Sequence, residues 1–269
     1  MRISRAFNRH LGSAAVAAVL AIGLGGCQTI AQSTDTTGSV SARGDTNSGR
    51  LTASEIEALG ERYRANPKNT EVALQYGTSL RLNGQRQQAV AVLEQATIVN
   101  PGNRALLAAY GRALADNGNF QQAFDTLTKA HTPANPDWRI LSVQGTVLDQ
   151  MGKHDEARRY YASALRLAPD EPSVLSNLGM SYVLSKNLPK AESTLRQALD
   201  NGATDARVRQ NLGLAVGLQG RFAEAESIVR ADLPADQAEA NVAYLKQMLN
   251  NGEGSRRSRT SSVLSPNAS

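Results

Sequence analysis

Five glycines, Gly77, Gly111, Gly145, Gly179 and Gly213, stand 34 residues apart along the chain. Twelve residues after each comes an alanine: Ala89, Ala123, Ala157, Ala191 and Ala225. Seven residues further on, Ala96, Ala130, Ala164 and Ala198 keep the same register. A fixed period of a few tens of residues means one supersecondary unit stacked on the next, because a single unit cannot bury its own apolar face. Large apolar residues fill the intervals: Tyr76, Leu80 and Leu93; Leu107, Tyr110, Leu114 and Leu127; Leu141, Leu148 and Tyr161; Leu175, Leu178, Tyr182 and Leu195. Their spacings of 3, 4 and 7 mark one face of a helix. Asn83-Gly84, Asn117-Gly118, Gly152 and Gly220 are turn signals that divide each unit into two helices. Glycine and alanine belong where those helices meet, since a larger side chain would force the axes apart. Hydrophobic residues make up 41% of the chain but aromatics only 4%, so the core must be built from Ala, Leu and Val. That suits closely packed helices better than a sandwich of sheets. The predicted fold is all-α: a helical solenoid of about five repeats over residues 51–250.

The departures from the pattern are informative too. Pro101 and Pro169 end their repeats, while Pro136 comes one residue late and implies a small adjustment over Pro133–Asp137. Lys186 stands where the inter-helix glycine is expected, with Asn187 beside it to supply the turn, and Pro189 is tolerable in a first helical turn. Arg209 and Asp232 break apolar and small positions of the fifth repeat, as a solenoid does near its end. Leu51 to Ala65 reads as the second helix of a half repeat, and Ala235 to Asn250 as an amphipathic capping helix.

Period and residue types together resemble the tetratricopeptide repeat, over about 180 of the 269 residues. The resemblance implies protein binding on a concave surface lined by the first helix, helix A, of each pair. By register that surface carries Leu74, Thr78 and Arg81, then Ala108 and Arg112, then Arg139, Ser142, Thr146 and Asp149. It continues with Ser176, Met180 and Val183, and with Arg207, Gln210 and Leu214. Arg81, Arg112 and Arg139 form a basic track for an acidic or C-terminal peptide, or else are simply solvated or paired with Asp116 or Asp149. The carboxylate clamp of chaperone-binding members is not expected, since Leu74 and Thr78 occupy its Lys and Asn places. Asn177 and Asn211 fit only the common repeat consensus.

The N-terminus has a different character. Residues 1–10 are polar and basic, and Leu11 to Leu24 are apolar or small. That run is about 14 residues, short of the ~20 a spanning helix needs, and it contains Gly12 and Gly23. A basic start, a short apolar stretch and small residues before a cut describe a secretory signal over residues 1–26. Leu24-Gly25-Gly26-Cys27 resembles the bacterial lipobox, which implies a lipidated Cys27. Several acyl chains on one residue make a lasting anchor where one chain holds only marginally. Gln28 follows, where an Asp would imply inner-membrane retention, so the resemblance points to the periplasmic face of the outer membrane. From Cys27 to Arg50 the chain is rich in Ser, Thr, Gly and Asp, a flexible tether with an r.m.s. reach of about 25 Å. Residues 251–269 return to that composition and read as a disordered basic tail with Arg256, Arg257 and Arg259.

Charge and chemistry exclude several functions. The formal net charge is +5, but Arg2, Arg5 and Arg9 lie in the signal, and removing them leaves +2. Nucleic acid is therefore a poor partner for the folded middle, and no small-molecule substrate is implied. Cys27 is the sole cysteine, so no internal disulfide exists and lipidation consumes the thiol. His131 in a turn and His154 at a helix start are expected to be solvated. No phosphate-cradling loop, clustered metal ligands or catalytic set is present, so the chain reads as a non-enzyme with no cofactor beyond the lipid.

Taken together, lipobox, tether, repeats and C-terminal segment resemble the TPR lipoprotein of the tight-adherence (Flp) pilus assembly system, the TadD type. Tyr63 to Gly77, Gly145 to Ala164 and Ala238 to Leu249 carry the resemblance, with Ala240-Asn241-Val242-Ala243-Tyr244-Leu245 the least generic. It implies a part in building the pilus machine, in support of the outer-membrane secretin. The alternative is a periplasmic adaptor that recruits peptidoglycan hydrolases or other envelope-assembly factors.

Overall fold

A computed structural model describes the backbone of residues 51–263 and the side chains up to residue 251. The expected signal, Cys27 and tether lie outside the described residues. Twelve helices follow one another: α1 (Ala53–Ala65), α2 (Thr70–Leu82), α3 (Arg86–Val99), α4 (Arg104–Asp116), α5 (Phe120–Lys129) and α6 (Trp138–Gln150). Then come α7 (His154–Leu167), α8 (Pro172–Leu184), α9 (Leu188–Asp200), α10 (Ala206–Gly217), α11 (Phe222–Val229) and α12 (Ala235–Val263). The even-numbered helices are the A helices, and the odd-numbered ones the B helices.

Each repeat glycine sits under one large side chain of its own B helix. A Cβ built on Gly77 would lie 2.5 Å from Leu93, on Gly111 2.6 Å from Leu127, and on Gly145 2.6 Å from Tyr161. On Gly179 it would meet Leu195, and on Gly213 Val229, each at 2.5 Å. No Cβ survives at such distances without displacing a buried side chain, so the glycines set how close each helix pair can come. The repeat alanines of the B helices are all buried. Among the described residues the chain is an all-α solenoid, as the period predicts.

Helix starts repeat with the same period. Asn69, Asn103, Asp137, Glu171 and Asp205 each cap an A helix, their side chains accepting a backbone N–H of the first turn. Between the helices, Gly84, Gly118, Gly152 and Gly220 take positive φ. In the fourth repeat Lys186 adopts that conformation itself, at φ 62°. Asn187 does not supply the turn: it caps α9, accepting from the Lys190 N–H at 3.4 Å. A left-handed Lys costs roughly 1–2 kcal/mol, which the surrounding seam overrides.

Two boundaries differ from expectation. The B helix α5 stops at Lys129 after 10 residues, against 14 in α3 and α7, and the chain closes a small turn in which Thr132 and Asn135 bond each other's backbones. At the far end, α12 continues to Val263, through residues 251–263 of the expected tail. Extending an existing helix adds one hydrogen bond per residue with no new nucleus, and no proline interrupts the stretch.

Successive A helices touch one another: α2 with α4, α4 with α6, α6 with α8, α8 with α10, and α10 with α12. The B helices show no comparable contact. The stack is therefore tighter on the A side, and the A helices line its inner face.

Candidate protein-interaction face

Hydrogen bonds between neighbouring A helices run along this inner face. Asn177 on α8 donates to Ser142 Oγ on α6 at 3.1 Å, and Asn211 on α10 donates to Ser176 Oγ on α8 at 3.3 Å. Donor and acceptor lie 35 residues apart in each case, one repeat plus one residue. Asn177 and Asn211 are thus not idle consensus residues. They also explain why Ser142 and Ser176 are buried rather than facing a partner, as are Asp149 and Val183. The α2–α4 seam uses a charged bond instead, Arg81 Nη1 to Asp116 Oδ2 at 2.8 Å. At the α4–α6 seam the corresponding places hold Ala108 and Val143, which cannot bond.

The three arginines of the expected track therefore differ in state. Arg81 is half-buried and paired with Asp116. Arg139 is exposed, and its guanidinium lies over the Trp138 ring, 4.4 Å from the centroid. Arg112 is half-buried between them and makes no hydrogen bond or ion pair with any described residue. Burial first, and then the charge of Arg81, lower its pKa from the usual guanidinium value; Asp137 opposes this and Arg139 adds to it. A half-buried cation beside two like charges, with only Asp137 in opposition and no direct bond to it, has room for a further anion.

The remaining face residues are mixed. Leu74 and Thr78 line a cavity of about 590 Å³ together with Leu51 and Leu59. Ala108 is buried in the core. Thr146 is exposed, although its hydroxyl donates to the Ser142 carbonyl at 3.2 Å. Met180 and Leu214 pack in part against the rear core cluster. Arg207 is exposed, but Asp205 holds its guanidinium through contacts of 2.5–3.1 Å.

The two histidines are not solvated as expected. His154 Nδ1 lies 2.9 Å from Asp149 Oδ1. That buried carboxylate also accepts from Ser181 Oγ at 2.8 Å and from the Tyr161 hydroxyl at 3.0 Å. Tyr161 takes a place that is leucine in the neighbouring repeats, and its hydroxyl needs an acceptor inside the seam. Burial, and then the Asp149 charge, raise its pKa. Asp, His and Ser meet here, but both Ser181 and His154 bond the carboxylate, and Ser181 is fully buried. The hydroxyl has no base to activate it and no access to a substrate, so the cluster is structural. His131 lies 3.1 Å from Gln144 Oε1, and Gln144 in turn donates to Thr128 Oγ1 at 3.0 Å. That network places the ring proton on Nε2. His131 Nδ1 is left as the one buried side-chain polar atom without a partner among the described residues. Among the described residues there is also no group of His, Cys, Asp and Glu able to hold a metal ion.

Helix pairs of 34-residue period, glycine under the B helix and A helices inside are the marks of one architecture, and a family model agrees: the tetratricopeptide repeat matches residues 80–141 and 150–215. The folded body is a TPR solenoid. Solved TPR structures superpose on it. A thermophilic TPR protein of Thermus thermophilus does so with a TM-score of 0.57 and 21% identity, over 67% of this chain and 98% of that one. A chain of the APC/C hetero-tetramer Cut9–Hcn1 gives a TM-score of 0.61 at 17% identity, over 74% of this chain, which spans only 40% of that longer one. Pseudomonas aeruginosa pilF gives 0.52 at 18%, over 65% and 82% of the two chains. At these identities the likeness is one of fold. No curated protein sequence matches the chain. The TPR fold is typically a non-catalytic scaffold for protein–protein interaction.

Proposed function

We propose that this chain is a lipid-anchored scaffold on the periplasmic face of the outer membrane, acting in assembly of a Flp pilus machine by supporting its secretin. The structural observation that supports the scaffold reading is Arg112: a half-buried guanidinium on the inner face that no carboxylate among the described residues bonds directly. Placement in the envelope rests on Leu24-Gly25-Gly26-Cys27 and on the tether that follows it. The pilus role rests on the resemblance of the whole arrangement, Ala240 to Leu245 above all.

A deletion strain tests the proposal. Loss of the chain should reduce secretin multimers and abolish pili, and the wild-type chain should restore both. Cys27→Ser should lose palmitate labelling, leave the outer membrane and fail to restore piliation. Normal pili in the clean deletion would reject the pilus role. Recovery of peptidoglycan hydrolases in place of a secretin from solubilised membranes would transfer the scaffold to cell-wall remodelling.

A further inference from the structure

The α4–α6 seam, which lacks a cross-helix hydrogen bond, is also among the looser contacts between A helices. A cavity of about 560 Å³ opens beside it, its lining including Arg104 and Ala108 of α4, His131 of the following turn, the cap Asp137, Trp138 and Arg139 of α6, and Leu167. The early end of α5 and the turn through Thr132 and Asn135 form one wall. The volume is typical of a small ligand site.

The same place two repeats later provides an internal control. A cavity of about 490 Å³ there is lined by Pro172, Ser173, Ser176, Asp205 and Arg207. Arg207 stands in register with Arg139, and Asp205 with Asp137. Both aspartates cap their helices, accepting the arginine's backbone N–H at 2.9 Å and 2.8 Å. At the rear site Asp205 also holds the Arg207 side chain. At the front site Ala206 is replaced in register by Trp138, and the Arg139 guanidinium lies over the indole instead. Stacking on an aromatic face leaves the N–H edge of the guanidinium free to meet a carboxylate. Arg104 on the opposite wall is likewise without an ion pair or hydrogen bond among the described residues. The rear lining sets Glu171 and Asp205 against Arg207, whereas the front lining sets Arg104 and Arg139 against Asp137 alone, so the front cavity keeps an excess of positive charge.

We propose that the cavity beside α4 and α6 is a receptor for an acidic peptide segment that carries an aromatic side chain. The carboxylates meet Arg104 and Arg139, and the ring packs on Trp138 and Leu167. Leu167 is 44% exposed, unusually so for a large apolar residue. Ala108 stands one helical turn before Arg112 on α4, so an extended chain that runs from the cavity along that face passes the unpaired cation. Charge complementarity selects the acidic segment, and the apolar wall selects the aromatic residue within it. This deepens the scaffold reading and rests on it.

Trp138 is the only tryptophan of the full chain, so intrinsic fluorescence reports from the site itself. The full-length protein in detergent is titrated with a blocked nine-residue peptide of Glu residues around a central Phe, followed by emission and by calorimetry. A saturable change in Trp138 emission is expected, with a matching heat. Binding should weaken at least tenfold when the Glu residues become Gln, when the Phe becomes Ala, or in the Arg104→Gln/Arg139→Gln protein. Arg207→Gln should bind as the wild type does. Circular dichroism melting of each variant shows that the fold is kept. No heat up to millimolar peptide, heat without a change in Trp138 emission, or binding indifferent to the double substitution would each overturn the receptor. The scaffold's pilus role fails separately, if the deletion strain remains piliated.

Discussion

From α9 onward every arginine with a described side chain has a carboxylate. Glu192 receives Arg196 at 2.8 Å and Arg221 at 2.7 Å, Arg196 reaches on to Glu224 at 2.7 Å, Arg209 meets Asp232 at 2.5 Å, Arg207 meets Asp205 and Arg230 meets Glu226. On the A helices α4 and α6 the arginines stand otherwise: Arg104, Arg112 and Arg139 have none. The backbone scaffold is the same in both regions, down to the glycine under each B helix. A solenoid thus separates two uses of one residue type by where the carboxylates are placed. At the rear, the charges are paired around an apolar core of Leu175, Leu195, Leu212 and Val216. At the front, charge is left for something else to answer.

The sharpest way to break this comparison is to show that the scaffolds differ. Gly111→Leu in the front and Gly179→Leu in the rear should each cost about 3 kcal/mol, because both push into a buried leucine of the paired helix. Thermal melts that differ widely between the two would mean that the halves are not built alike. Next in size is the rear pair. Asp232→Ala leaves Arg209 without its two hydrogen bonds and should cost about 2 kcal/mol by denaturant unfolding; an unchanged midpoint would demote the rear charges to decoration.

Acid should act in the same place. Burial pushes the Glu192 pKa up, but hydrogen bonds from Arg196, Gln219 and Arg221, with the Arg221 charge, bring it down to about 2. A carboxyl depressed in the fold contributes stability above its unfolded value, and that stability is lost as pH falls from about 4.5 toward 2. The loss should be of order 1 kcal/mol after screening, and Glu192→Gln should flatten the stability profile across that window. Smallest of all is the front. Arg112→Gln should change stability by less than about 0.5 kcal/mol, or raise it slightly by removing a charge set between Arg81 and Arg139. It should still weaken partner capture from solubilised membranes. A clear destabilisation would show Arg112 to be structural after all.

The parts of the fold fixed by size are legible in the sequence, and those fixed by geometry are not. A glycine under Leu93 or Leu127 has a steric cause that recurs every 34 residues, so the spacing alone finds it. The caps Asn69, Asn103, Asp137, Glu171 and Asp205 share that period and are open to the same rule. Arg209 and Asp232 look like two separate lapses from the pattern, and only their proximity shows that each compensates the other. The basic track is legible as three arginines on one face. Which of them is neutralised depends on how the helices sit, and on whether an indole or a carboxylate is nearer the guanidinium. The histidines mislead because turn and helix-start positions suggest water, whereas a tyrosine in place of a leucine brings a carboxylate into the seam, and with it His154.

The contacts of the stack have a mechanical consequence. Substantial contact joins only helices one or two places apart, so a load along the solenoid passes through its inner seams in series, like springs joined end to end. In such a chain the softest link takes most of the bending. The α6–α8 and α8–α10 seams are laced by asparagine and the α2–α4 seam by an ion pair, whereas the α4–α6 seam holds only Ala108 and Val143 at the equivalent places. Among the seams from α2 to α10, flexure therefore concentrates there, and a segment wedged beside it would stiffen that stretch of the stack.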